Sequence, residues 1–418
     1  MKRGVNSRAS LLFRITLGWV LVGVVGPLGC IPNLFGNELL LVDGRRYVGE
    51  LASAHEDGRL EFLADLAPLE VRMEEVVIWG RLPDIQSPAI VILADGSLLA
   101  VTGIQIAEER AYLRGVHLAE AVLPLDLLAG VVLMPPGDKE RKDRLLDRIL
   151  FADINNDQIL LANGDRISGV VLRLDDKICL VEIEGGTAPV PRENVVAITF
   201  QPALRAGVTK PITAAQDAVG IGERPDRILV GLLDGSLLCC EKLRTAAQGM
   251  EFTLVFGVSL SAKAGSVVLL EPLGGPVVYI SDLEPAEYEH RPFLGIKREL
   301  GRDRSVLGSR LRKGGRVFPK GLGMQSWTIV KYSLAKKFRR FESLIGLDDL
   351  AGERGSVEFV VRLDGREAFR SGIIRGNDPA RPVSLDVTGV NELELVVEYA
   401  DRAHECDFAN WFLARVIP

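Results

Sequence analysis

Histidine, aromatic residues and cysteine are all scarce in this chain: four histidines, 6% Phe, Trp and Tyr together, and five cysteines among 418 residues. So few histidines offer no Ser/His/Asp relay, and the isolated His55 and His117 read as structural. No Cys-x-x-Cys pair occurs, and the cysteine spacing is not that of a zinc site. Cys239 and Cys240 are adjacent, and on a strand their side chains point to opposite faces, which argues against a bond between them. If Cys30 leaves with a leader, Cys179, Cys239, Cys240 and Cys406 remain, expected as buried thiols, with one disulfide left open for an exported chain. Excess positive charge is lacking too: the formal net charge is −6, without the basic footprint of a nucleic-acid binder. The basic stretch Lys297–Arg312, interrupted by Glu299 and Asp303, is expected to be a solvated loop.

What is present is apolar residue and turn chemistry. Hydrophobic residues make up 47% of the chain, with 43 glycines and 21 prolines, which fits many short strands in two to four domains. Residues 1–37 have the shape of an export signal or membrane anchor: Lys2, Arg3, Arg8 and Arg14 precede an uncharged run from Ile15 to Asn37. Gly23, Gly26, Pro27 and Gly29 weaken that run as a permanent helix, so a cleaved signal is read first and an anchor second. Lipidation at Cys30 is third, because Pro27 suits that motif poorly. The reading places the protein outside the cytoplasm, in the periplasm, on the cell surface or in the medium, with membrane contact only through this segment.

Between Glu38 and Pro272 one pattern recurs four times. An apolar run meets Asp43-Gly44, Asp95-Gly96, Asn163-Gly164 or Asp234-Gly235, turns back into a second strand, and the unit closes on a Val/Ile-rich strand. The turns lie 52, 68 and 71 positions apart, too irregular for a solenoid of fixed period. The expectation is tandem small β units of the SH3 or Sm kind, two in 38–136 and two in 151–272, divided by a charged linker or short helix at 137–150. The segment Arg205–Pro225 separates the last two units; its Gly220-Ile221-Gly222 lacks the strand and helix of a nucleotide loop.

From Pro276 the texture changes. Short alternating strands dominate: Val357, Phe359 and Val361 share one face, and Leu393, Leu395 and Val397 another, with a hairpin at Asp364-Gly365. Two such sheets face to face make a sandwich or jelly roll. The ordered motifs are Ser281-Asp282-Leu283, Lys320-Gly321-Leu322-Gly323, Phe338 with Phe341, Gly346-Leu347-Asp348-Asp349, Gly355-Ser356-Val357 with Phe359, and Asp407 with Asn410-Trp411. In this order they resemble the NPCBM/NEW2 family of carbohydrate-binding modules, over about 276–418. The resemblance implies an all-β, galactose-binding-like β-sandwich, a non-catalytic sugar-binding role and, in many members, a structural calcium (Ca2+). Gln325-Ser326 departs from the His-Ala or similar pair that often follows Lys-Gly-Leu-Gly.

A sugar site needs aromatic platforms for the C–H face and planar polar groups for hydroxyls. Trp327, Trp411 and Tyr332 are the candidate platforms; Gln325, His404 and Asn410, with Asp407, are the candidate hydroxyl partners. Trp411 and Tyr332 have a competing reading as core. Asp348, Asp349 and Asp407 are the candidate calcium ligands, with turn capping as the alternative for the adjacent pair. No pair of carboxylates reads as a glycosidase dyad. The chain therefore reads as an exported, non-catalytic binder of a glycan or polysaccharide. The alternative is an envelope scaffold that has lost sugar binding and contacts envelope proteins. A concavity shared by Trp327 and Gln325 would favour the first.

Overall fold

Four Asx-Gly turns organise the first two thirds of the fold. In each, the Asx carboxyl or amide oxygen accepts the backbone N–H two residues on: Asp43 from Arg45, Asp95 from Ser97, Asn163 from Asp165 and Asp234 from Ser236. The glycine alone takes positive φ, at 90°, 87°, 91° and 84°. The loops are therefore three-residue turns closing on a left-handed glycine rather than two-residue turns with both residues left-handed. A computed structural model of the chain describes residues 37–418 apart from 66, 202–225, 294 and 402. The expected N-terminal signal or anchor, Cys30 and the divider at Gly220–Gly222 lie outside the described residues.

Each turn opens an SH3-like unit. In the first, strands Asn37–Leu41, Arg46–Ala54, Arg59–Ala64 and Ala67–Arg72 lead through a 3-10 turn into Val76–Gly80, which returns to pair with the first strand at Leu39 and Trp79. The same closure joins Ala89–Leu93 to Leu128–Val132, Asp157–Leu161 to Val195–Thr199, and Arg227–Leu232 to Val267–Leu273. The closing strands also pair between units. Leu270 faces Trp79 across units four and one, and Val131 faces Ile198 across units two and three.

Units two and four meet turn to turn. The Ser236 hydroxyl accepts the Ala100 N–H at 2.9 Å, and the Ser97 hydroxyl accepts the Cys239 N–H at 2.9 Å. Each serine follows its Asp-Gly turn and reaches the residue three positions beyond the other serine, with Leu98 opposite Leu237 between them. This reciprocity is the signature of an isologous contact, here within one chain. One apolar core runs through all four units.

The charged linker is a helix, α1 (Lys139–Leu150), capped by Asp138, whose side chain accepts from the Arg141 N–H. Leu145, Leu146 and Ile149 pack it onto Ile90, Ile92 and Val132.

The last third is a two-sheet sandwich. One sheet runs Gly301–Arg302, Gly321–Gln325, Phe408–Ile417, Arg340–Leu347, Arg381–Asp386; the other runs Glu287–His290, Thr328–Ser333, Glu392–Tyr399, Ser356–Leu363, Arg366–Arg375. Trp411, Phe359, Phe341 and Tyr332 fill the space between them.

Sandwich and repeats share a buried seam. Leu82–Pro83, between units one and two, pairs as a strand with Arg316–Phe318. Leu40, Val77, Ile78 and Leu269 pack against Tyr279, Leu311, Phe412 and Leu413. The stretch Lys297–Arg312 is solvated only at Lys297, Arg298 and Glu299, and its later part turns inward. Arg312, 1% exposed, holds Asp84 (Nε–Oδ2 3.0 Å) and Asp143 of α1 (Nη2–Oδ1 3.0 Å) at once. Arg304 forks onto Asp147, with Nη2–Oδ1 2.6 Å and Nε–Oδ2 3.0 Å. The charges turn inward because the acidic face of α1 and the basic stretch neutralise each other.

Candidate functional site

At one end of the sandwich, three segments converge: the turn Gln325–Trp327, residues after His290, and Ala403–Phe408. They enclose a cleft of about 280 Å³ lined by His290, Phe293, Ile296, Gln325 and His404 among others. Strand pairing places His290 opposite Thr328, so its ring is anchored. His290 Nδ1 lies 3.1 Å from the Trp327 carbonyl and 2.9 Å from the Thr328 hydroxyl. Burial pushes its pKa down, against the Trp327 and Ile296 carbonyls that face the ring, and Nε2 is enclosed.

Gln325 Nε2 donates to the His404 carbonyl at 3.1 Å, leaving its own side-chain carbonyl as the second polar group. Phe293 is 60% exposed and stacks on His404 with centroids 5.4 Å apart, and Tyr399 meets it edge-on at 6.2 Å. An exposed aromatic held by two rings beside the anchored Gln325 carbonyl can take an apolar sugar face and a hydroxyl together.

Of the residues expected to bind sugar, Gln325 and His404 come together here. Trp327 is half-buried and does not line the cleft; the Arg291 guanidinium covers its ring at 4.6 Å. Tyr332 and Trp411 are fully enclosed in the core, so neither ring offers a face to a ligand. Asn410 is enclosed as well and donates from Nδ2 to Asp348. Phe293 escaped the sequence reading. Its signal was an aromatic following Pro292 in a stretch with no strand alternation.

The expected calcium ligands do not converge. Asp348 accepts from Leu350 N–H, Arg312 N–H and Asn410 Nδ2; Asp349 accepts from the N–H groups of Gly314 and Gly315. Asp407 accepts from Ser356 N–H and the Ser326 hydroxyl. Donors point at every one of these oxygens, so the three carboxylates cap backbone and do not fit a cation. Among the described residues, no group of three or more Asp, Glu, His or Cys gathers as a metal site. Asp407 braces the cleft from behind through Ser326. Burial raises its pKa to about 6, against the opposing hydrogen bonds from Ser326 and Ser356.

Comparison with known proteins defines the class of this region: residues 276–417 match the NPCBM/NEW2 domain. An alpha-1,3-galactosidase B of Akkermansia muciniphila is 30% identical over 113 residues, 26% of this chain and 14% of that protein. A Renibacterium salmoninarum protein bearing the name of an endo-alpha-N-acetylgalactosaminidase is 26% identical over 110 residues, 26% of this chain and 7% of that protein. The chain thus spans only a small part of the curated relatives it matches. Among solved structures, the CBM51 module of a Clostridium perfringens GH95 protein, in complex with methyl-galactose, is 27% identical, covers 34% of this chain and 99% of its own, with a TM-score of 0.31.

Proposed function

We propose that this protein is an exported, non-catalytic carbohydrate receptor whose sandwich holds a glycan end at the cleft between Phe293 and Gln325. The observation that carries the reading is the convergence of an exposed, ring-braced Phe293 with anchored His290, Gln325 and His404 in one concavity. The NPCBM/NEW2 match supports sugar as the ligand class, and the names of the relatives favour galacto-configured sugars. Export rests on the basic and apolar order of residues 1–37. The repeats serve as a rigid base for the sandwich, given the buried seam that joins them.

The test is a titration of the full chain with galactose- and N-acetylgalactosamine-terminated glycans. Phe293→Ala is expected to weaken binding by about tenfold, the loss of a stacked ring's contact, and Gln325→Ala by several-fold. Absence of binding to any glycan, or unchanged binding in Phe293→Ala, would refute it.

A further inference from the structure

The lining of the Phe293 cleft includes two charged side chains of opposite sign, Arg298 and Glu405. The acid is already matched: the Arg354 guanidinium donates to it, with Nη1–Oε1 3.0 Å. Arg291, near by, gives its Nε to Glu289 at 2.6 Å and covers Trp327. Arg298 has no such commitment. Its backbone carbonyl accepts the Tyr288 hydroxyl at 2.7 Å, which fixes the main chain at this point. Its side chain is exposed and forms no ion pair among the described residues, the adjacent Glu299 included.

The Arg298 charge reaches the cleft wall. Burial is the first cause that pushes the His290 pKa down, and the positive charges of Arg298 and Lys297 push the same way. His290 lines the cleft, so the space beside it lies within the field of a free guanidinium while the acid of the lining is held by Arg354. A guanidinium presents a planar fork of N–H donors that matches the paired oxygens of a carboxylate or a sulfate. A concave wall of low dielectric concentrates its field. Because Arg298 is solvated, the gain is that of an exposed pair, modest and screened by salt. Phe293 and Arg298 line one cleft of about 280 Å³, so a single sugar residue can meet both.

We propose that the cleft prefers a galactoside bearing an anionic substituent, a sulfate ester or a carboxylate, with the sugar ring on Phe293 and the anion on Arg298. This rests on the sugar-binding reading of the cleft and adds a specificity-determining residue to it.

The experiment titrates the full chain by calorimetry with methyl β-D-galactopyranoside, its 6-sulfate and methyl β-D-galacturonoside, with sodium sulfate as the bare anion. At low salt an anionic galactoside is expected to bind about fivefold tighter than the neutral one, and the gap should close in about 0.5 M NaCl. The arm that shows the gap identifies the anion. Arg298→Gln should bring the affinities together by weakening the anionic ligand, and it should melt with the parent because the side chain is exposed. Phe293→Ala should weaken anionic and neutral galactosides alike. Equal affinities for the three sugars, a gap that survives Arg298→Gln or high salt, or sodium sulfate binding as tightly as the sulfated sugar would each overturn the inference. Neutral galactoside binding without a gap sinks this inference and leaves the sugar reading standing; no binding of any of the three sinks both.

Discussion

Replacing Arg312 with methionine tests whether the sandwich is locked to the repeats by charge. The guanidinium donates to Asp84 and Asp143 together, and both carboxylates are buried. Without it they stay buried, Asp84 keeping Lys142 (Nζ–Oδ1 3.3 Å) and Lys139 (Nζ–Oδ2 3.8 Å) and Asp143 keeping the Arg310 N–H. Breaking a buried pair from one side costs about 3–5 kcal/mol. Asp84 supplies the pH signature. Burial alone would raise its pKa, but Arg312 overrides this and holds it at about 2, against an ordinary 3.8. That shift is worth about 2 kcal/mol. The folded pKa is depressed, so the contribution is present above about pH 4 and disappears as pH falls toward 2. In Arg312→Met the strongest opposition to the burial is gone, and protonating Asp84 relieves what the neighbouring lysines leave. Urea unfolding should therefore show a deficit of about 3–5 kcal/mol at pH 7 that shrinks by about 2 kcal/mol at pH 3. A deficit below about 1 kcal/mol at pH 7, or one independent of pH, would refute the lock.

The reciprocal serines give a second prediction. Ser97→Ala or Ser236→Ala strands one buried N–H and should cost about 1–3 kcal/mol in urea unfolding, with the double variant departing from additivity because both bonds span one contact. A third concerns Glu271 on the last repeat strand, fully enclosed near Tyr279, Lys320, Arg415 and Asp303. Burial raises its pKa to about 7, so its contribution is complete below about pH 4.5 and is lost as pH rises through 7. Glu271→Gln should match the parent at pH 5 and exceed it by up to about 3 kcal/mol at pH 9. Parallel thermal melting curves from pH 5 to 9 would contradict this.

The features that sequence made legible are those decided by neighbours in the chain. An Asx-Gly turn is set by one glycine in the left-handed region and one side chain reaching two residues on, so all four turns and the strands they join could be read directly. The alternation of Val357, Phe359 and Val361 likewise marks an inward face before any partner is known. The cleft was half legible. Gln325 and His404 could be named from the polarity of their segments, but which aromatic faces solvent depends on what covers each ring, and Arg291 covers Trp327. Asp348 and Asp349 carried two readings until the Gly314 and Gly315 amides came into range.

Charge was the least legible, because composition does not separate a solvated ion from a matched one. The partners of Arg312 lie 169 and 228 positions away, and only assembly of helix, linker and sandwich brings them together. The same stretch that looks solvated in sequence therefore holds an arginine matched twice, Arg312. The matched arginine holds the domains together.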